Sequence, residues 1–202
     1  QRILWAPLLA YAFWLEQELR LDESLDVLEA SLRLEDASAI DEKTAALLQR
    51  ARVLHLLGRF ADANDSYAVA GELANLRGDL RSQMVSRIGR AIVLQKTGDL
   101  PRAEAIFSDV LHIARQHGDV YVEARALHDL ALTNHLLNRV PAAVSFAFEA
   151  FQKGLNLRPG HKRILEELER YDHRTEPVFS FLPRGHALNR LAGRSLYQII
   201  NG

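Results

Sequence analysis

Leu57-Gly58-Arg59-Phe60-Ala61-Asp62-Ala63 returns as Thr97-Gly98-Asp99-Leu100-Pro101-Arg102-Ala103 and again as Leu137-Asn138-Arg139-Val140-Pro141-Ala142-Ala143, each copy 40 residues after the last. Self-similarity at a fixed period of a few tens of residues means that one helical unit is stacked on itself, and such stacks present a groove to a partner. The phrase therefore reads as part of a scaffold and not as an enzyme core.

Working outward from Ala63, Ala103 and Ala143, the positions twelve residues earlier hold Ala51, Ala91 and Ala131, again small. Two small positions at fixed offset let two helix backbones approach, while larger neighbours fill the remaining holes. Those neighbours are Leu54 and Leu94 on the first helix of each pair, with Tyr67 and Phe107 four residues after the alanine on the second; Asn134 and Ala147 break the pattern in the last unit. Gly58, Gly98 and Asn138 fall where the first helix ends and a left-handed residue is favoured. Pro101 and Pro141 then sit in the first turn of the second helix, where a missing N–H costs nothing. The second helices close at Arg77-Gly78-Asp79, His117-Gly118-Asp119 and Arg158-Pro159-Gly160. A less regular first hairpin runs from about Leu4 to Leu34, its second helix spanning Asp22 to Leu34. A shift of 39 residues sets Ser24 on Ala63 and Leu28 on Tyr67, with Ala12 as the small residue of its first helix. The loop Glu35 to Asp41 leads to the next unit.

Composition bounds the reading. Hydrophobic residues are 48% and charged residues 25% of 202, which is ordinary for an ordered globular chain. A net charge of -1 steers the whole molecule towards neither nucleic acid nor membrane. The absence of cysteine excludes disulfides, thiolate zinc sites and cysteine nucleophiles. No apolar run approaches the roughly 20 residues of a membrane span, and the N-terminal stretch lacks the layout of a signal peptide, so a cytoplasmic location is expected. Because the chain opens at Gln1 in helix-like sequence, we expect it to be a piece of something longer.

The pattern of a small residue, Gly at the turn, then an aromatic or aliphatic residue, Ala and an aromatic resembles the tetratricopeptide (TPR) repeat, above all at Leu-Leu-Gly-Arg-Phe-Ala-Asp-Ala 56–63. The resemblance covers about residues 4–171. It departs from the family in its 40-residue period, against 34, and in Leu47, Arg87 and Leu127 where an aromatic is usual. The longer period is similar to repeats in kinesin light chains and bacterial signalling regulators. HEAT-like repeats share the length but fit the Gly turn and paired alanines less well. The resemblance implies an all-α, right-handed superhelical solenoid of antiparallel hairpins, with a capping helix and a tail. Its repeat domain would span 1–171, with units at about 4–34, 42–78, 82–118 and 121–158 and a cap at 161–171; a C-terminal extension fills 172–202.

In this family the first helices line the concave face. Offsets from the small position then assign Arg52 and His55, Gln95 with Lys96, and His135 to a ligand groove, together with Arg125 and His128. Phe13, Glu16 and Gln17 supply the same wall in the first hairpin, and Leu48, Ile88, Ile92 and Leu132 the apolar patches. A mixed, partly basic groove suits an extended peptide or helix carrying some negative charge. The competing reading is a set of solvated positions on amphipathic helices. The dicarboxylate clamp for chaperone tails is not supported, since Leu48, Ile88 and Ile92 stand in some of its places.

Other chemistries fail on spacing. His112 and His117 share a helix but are turned roughly 140° apart at 3.6 residues per turn. His128 and His135 lie about 10 Å apart along the axis, too far for one ion. No phosphate loop, Gly-x-Ser-x-Gly elbow or His-Glu-x-x-His occurs. No catalytic residue, metal or cofactor is therefore expected. After the repeats, Glu176-Pro177-Val178-Phe179-Ser180-Phe181-Leu182-Pro183-Arg184-Gly185 is extended and apolar between prolines. Helical spacing returns over Ala187–Ile200, with Arg190 and Arg194 on its polar side. Three arginines are few for membrane or nucleic acid, so neither is expected as a partner. The tail instead reads as folding back or joining two copies in a homodimer, with Val178–Leu182 docking in a groove. The function expected is a protein-interaction scaffold or adaptor binding a peptide in the concave face; the alternative is a ligand- or peptide-sensing domain of a larger signalling or transcriptional regulator.

Overall fold

A left-handed backbone residue punctuates the chain every twenty positions: φ is positive at Gly58, Gly78, Gly98, Gly118 and Asn138, and also at Leu19. At each of these points one helix stops and the next begins. The computed structural model describes residues 2–34 and 39–155, with side chains from 5 to 154. Among the described residues the elements are eight helices, with no strand: α1 (Arg2–Gln17), α2 (Leu21–Leu32), α3 (Ile40–Leu56), α4 (Phe60–Arg77), α5 (Leu80–Lys96), α6 (Leu100–His117), α7 (Val120–Leu136) and α8 (Val140–Leu155). First helices start at 40, 80 and 120, and second helices at 60, 100 and 140. The cap at 161–171 and the extension at 172–202 lie outside the described residues.

The same local chemistry ends six of these helices. The N–H of Arg59 reaches the carbonyl of Leu54 at 2.9 Å while that of Gly58 reaches His55 at 3.0 Å, and equivalent pairs of bonds close at Arg20, Asp79, Asp99, Asp119 and Arg139. These bonds satisfy carbonyls that a helix end would leave open, and they need the positive φ to form. Aspartates then start the next helices: Asp79 accepts from the N–H of Ser82 at 3.1 Å, and Asp119 from that of Val122 at 3.1 Å. The bond from Ser82 holds the Asp79 carboxyl below its usual pKa, against the opposing effect of partial burial. Pro7 lies inside α1, one turn in from its start. The expected helix Asp22–Leu34 stops at Leu32, because Arg33 and Leu34 leave the helix in a turn closed by the N–H of Leu34 on the Ser31 carbonyl at 3.0 Å.

The small positions are where the helices meet. Ala12, Ala51, Ala63, Ala91, Ala103 and Ala143 are fully buried. Ser24, standing where later units carry alanine, is buried as well and donates its hydroxyl to the carbonyl of Ala12 at 2.7 Å. Its polar atom is thus satisfied against the facing small residue, which is why a serine is tolerated in a close helix contact. Leu28, Tyr67, Phe107 and Ala147 occupy one register position and are all buried. Each of the larger three contributes about 1.5–3 kcal/mol by leaving water.

The chain forms two compact units, one through Ile106 and one from Phe107, the boundary falling inside α6. In the first, α3 packs on α4 and α4 on α5, while α1 and α5 both touch α3. Its core joins Leu25, Leu28, Val53, Leu54, Tyr67 and Val93 around the alanines. Trp5 with Ala39 and Ala46 forms a second cluster beside α1. In the second unit, α7 packs on α8. Buried Glu123 on α7 accepts from Arg115 of α6 at 3.1 Å and pairs with Lys153 of α8 at 2.9 Å, and Arg115 also binds Glu149 of α8. Three helices are tied through one carboxylate. Burial works to lower the Arg115 pKa, but its bonds to Glu123 and Glu149 outweigh that and raise it.

Candidate groove lining of the first helices

In the first unit the first helices α1, α3 and α5 lie side by side, with α3 in the middle. Any surface they share is built from the register positions that these helices have in common. One such column runs Phe13, Arg52, Ile92, Leu132, and a second runs Glu16, His55, Gln95, His135. The second column is polar in all four repeats although Glu16 and Gln95 are buried and both histidines are half-buried. Where this column is buried, at Glu16 and Gln95, a polar side chain needs a local partner, which limits how much of it is offered to a ligand.

The sharpest geometry is around Arg52. Its Nε and Nη2 grip the two carboxylate oxygens of Glu16 at 2.5 and 2.6 Å, and its guanidinium carbon stands 5.7 Å from the ring centre of Phe13. Glu16 is fully buried, whereas the Arg52 side chain remains 35% exposed. A fork-to-fork pair of this kind fixes two helices relative to one another and neutralises both charges. Arg52, one of the expected groove residues, packs against α1 through this pair and keeps part of its side chain, beside the half-buried Phe13 ring, in contact with water. The signal that could have found the pair was in the register: Glu16 is the acid in a column otherwise made of His and Gln, next to a column that holds an arginine.

The remaining candidates are more scattered. His55 tilts its ring by 59° against Phe60, centroids 5.4 Å apart, which aims it at the hairpin turn. Gln95 is 6% exposed and sits inside α5, while the adjacent Lys96 is exposed at its end. In the second unit, Arg125 donates to buried Asp129 at 2.9 Å one turn on in α7. His128 and His135 are half-buried on the same helix. Phe13, Glu16 and Arg52 are therefore brought together, and Arg125 meets Asp129, an acid outside the expected groove residues. Arg52 in the first unit and Arg125 in the second are each already paired with a carboxylate, so each offers less positive charge than its place along the helix suggests.

Among the described residues no group of three His, Asp or Glu side chains is placed to hold a metal ion, and no helix is long and apolar enough to cross a membrane. No protein-family model matches the chain, and no curated protein matches it. Solved structures do. A crystal structure from Podosopora anserina, of nearly identical TPR-like repeats of kinesin light chain type, superposes with a TM-score of 0.63 over 94% of this chain and 97% of that one, at 16% identity. The likeness, together with the eight helices of the described residues, establishes the fold as an all-α solenoid of TPR-like helical repeats.

Proposed function

We propose that the chain is a protein-interaction scaffold of TPR type, with the long, 40-residue form of the repeat, and that it binds a peptide or partner segment along the inner faces of its first helices. The observation that carries this reading is the partly exposed Arg52–Phe13 edge on α1 and α3, held by the buried Glu16, with the partly buried Leu9 and Leu48 one turn before Phe13 and Arg52 on the same helices. A rigid cation-on-ring edge beside aliphatic side chains recognises a segment with an apolar anchor and an adjacent acceptor, at little ordering cost. Recognition of this kind needs shape and spaced donors but no bond-making. Consistent with that role, we place the protein in the cytoplasm.

The test is capture of binding proteins from the native source by the immobilised chain, compared among three variants of unchanged helicity. Phe13→Ala and Lys96→Glu change the inner faces; Asp65→Lys changes the exposed surface of α4. A partner retained by wild type and Asp65→Lys but lost, by at least tenfold in affinity, with either of the other two supports the reading. Equal retention by all variants refutes it.

A further inference from the structure

Away from its Arg52–Phe13 edge, the inner face of the first unit is apolar, and that limits what it can hold. Three positions before the small alanine of each helix, α1, α3 and α5 carry Leu9, Leu48 and Ile88, the first two partly buried and the third buried. Three positions earlier again stand Ala6 and Ala45, both exposed, and half-buried Val85. The row of Phe13 and Arg52 ends on α5 in half-buried Ile92. Arg52 is the one charged residue in these three rows, and Glu16 neutralises it. Gln17 and Lys96, exposed one turn beyond that row, make a polar rim along one edge. On α7 of the second unit the first two of these positions hold His128 and Arg125, so the aliphatic rows belong to the first unit.

Hydrogen bonding selects the occupant. An extended segment carries an N–H and a C=O at nearly every residue, and each one that leaves water without a partner weakens binding. Apart from Arg52, no side chain in the three rows can donate or accept a hydrogen bond. A helix satisfies its own backbone and presents only a stripe of side chains. The dimensions agree. Helices packed side by side stand about 8–10 Å apart, so three of them span roughly 16–20 Å between outer axes. Along α3 the rows run from Ala45 to Arg52, about 10 Å at 1.5 Å per residue. A helix is about 10–12 Å wide with its side chains, and about 12 residues of it cross all three. Charge agrees as well, because rows whose single cation is already neutralised complement an uncharged stripe, whereas an acidic stripe would lose its hydration there without gaining a cation. We propose that the inner face of the first unit takes an amphipathic helix of a partner protein, with an uncharged aliphatic stripe at i, i+3 or i+4 and i+7 laid across α1, α3 and α5. The inference rests on the groove reading above and replaces an acidic, extended segment by a neutral, helical one.

Selection of displayed peptides against the full chain tests it, from two libraries of about 15 residues. One is patterned as an amphipathic helix with a neutral polar side; the other is punctuated by prolines and rich in acids. The helix library should enrich, and the selected peptides should become helical by circular dichroism when mixed with the chain. Their affinity should change by less than about twofold between low and high salt. Ala45→Glu, which puts a carboxylate at an exposed position and leaves helicity unchanged, should weaken them at least tenfold, while Asp65→Lys on α4 should not. Enrichment of the acidic library alone, with its peptides lost in Ala45→Glu, overturns this inference and leaves the groove reading standing. Peptides of either kind that bind regardless of both Ala45→Glu and Phe13→Ala overturn the two together. Failure of the helix library to enrich also overturns the inference, as does a wild-type dimer in sedimentation that Ala45→Glu dissolves, since a second copy would then occupy the face.

Discussion

Leu19 occupies a backbone conformation that leucine seldom adopts, with φ at 64° between α1 and α2. The turn needs it there: the bonds from Leu19 to Glu16 and from Arg20 to Leu15 close only with a left-handed residue at this point. At the equivalent place later hairpins carry Gly58 and Gly98, which meet no steric penalty, and Asn138, which is tolerated. A leucine costs about 1–2 kcal/mol in this region, and being 45% exposed it recovers little by packing. Leu19→Gly should therefore stabilise the protein by about 1 kcal/mol, less a few tenths for the added entropy of the unfolded chain. Urea unfolding would show the midpoint rising with unchanged slope; a falling midpoint would mean that the leucine side chain contributes more than its strain costs. The other turns were legible in the sequence because Gly and Asn announce a left-handed residue, whereas a leucine in that role carries no signal of its own. Its place was recoverable only from the 39-residue shift.

Between elements, the alanine columns and the turns could be read from residue type, since burial at a close helix contact admits only small side chains and Ser24 announces itself by register. Partners of charged side chains could not. Glu16 meets Arg52 36 residues away, and Glu123 meets Arg115 and Lys153, because stacked helices bring distant positions together in a way that local spacing does not encode. The consequence is mechanical as much as electrostatic. Arg52→Glu would place a second carboxylate against the buried Glu16, whereas Arg52→Met would leave that carboxylate without its cation but keep the aliphatic contact with Phe13. We expect Arg52→Glu to cost on the order of 3 kcal/mol and Arg52→Met somewhat less, both below the full cost of breaking a buried pair because Arg52 keeps contact with water. Restoring stability in the swapped double variant Glu16→Arg/Arg52→Glu is not expected, since the enclosed position would then hold the longer cation. Denaturant unfolding of the two single variants separates the outcomes: equal stability to wild type would show that the pair holds nothing together.

For the molecule as a whole, repetition makes stability a sum of unit terms and nearest-neighbour contacts, so damage at one contact stays near it. Gly89 on α5 offers a test of that property. A Cβ there would lie 2.3 Å from the Tyr67 ring of α4, and the neighbouring Gly71 would meet the Ser86 hydroxyl at 2.7 Å, so α4 and α5 touch through glycines where the other repeats carry larger residues. Tyr67 fills the alcove that Gly89 leaves, and its backbone carbonyl takes the Ser86 hydroxyl. In Gly89→Ala the gain of helix propensity, about 1 kcal/mol, is opposed by an overpacking cost of up to about 3 kcal/mol, since a rigid ring and not a flexible chain end must move. The balance is destabilising by about 1–2 kcal/mol. Amide hydrogen exchange should then show protection lost across α3, α4 and α5 while α7 and α8 keep theirs, and Tyr67→Leu in the same chain should recover part of the loss by vacating the space. Uniform loss through all helices would mean that the repeats unfold as one cooperative body, and a solenoid of this length would then transmit a change in one contact to every other.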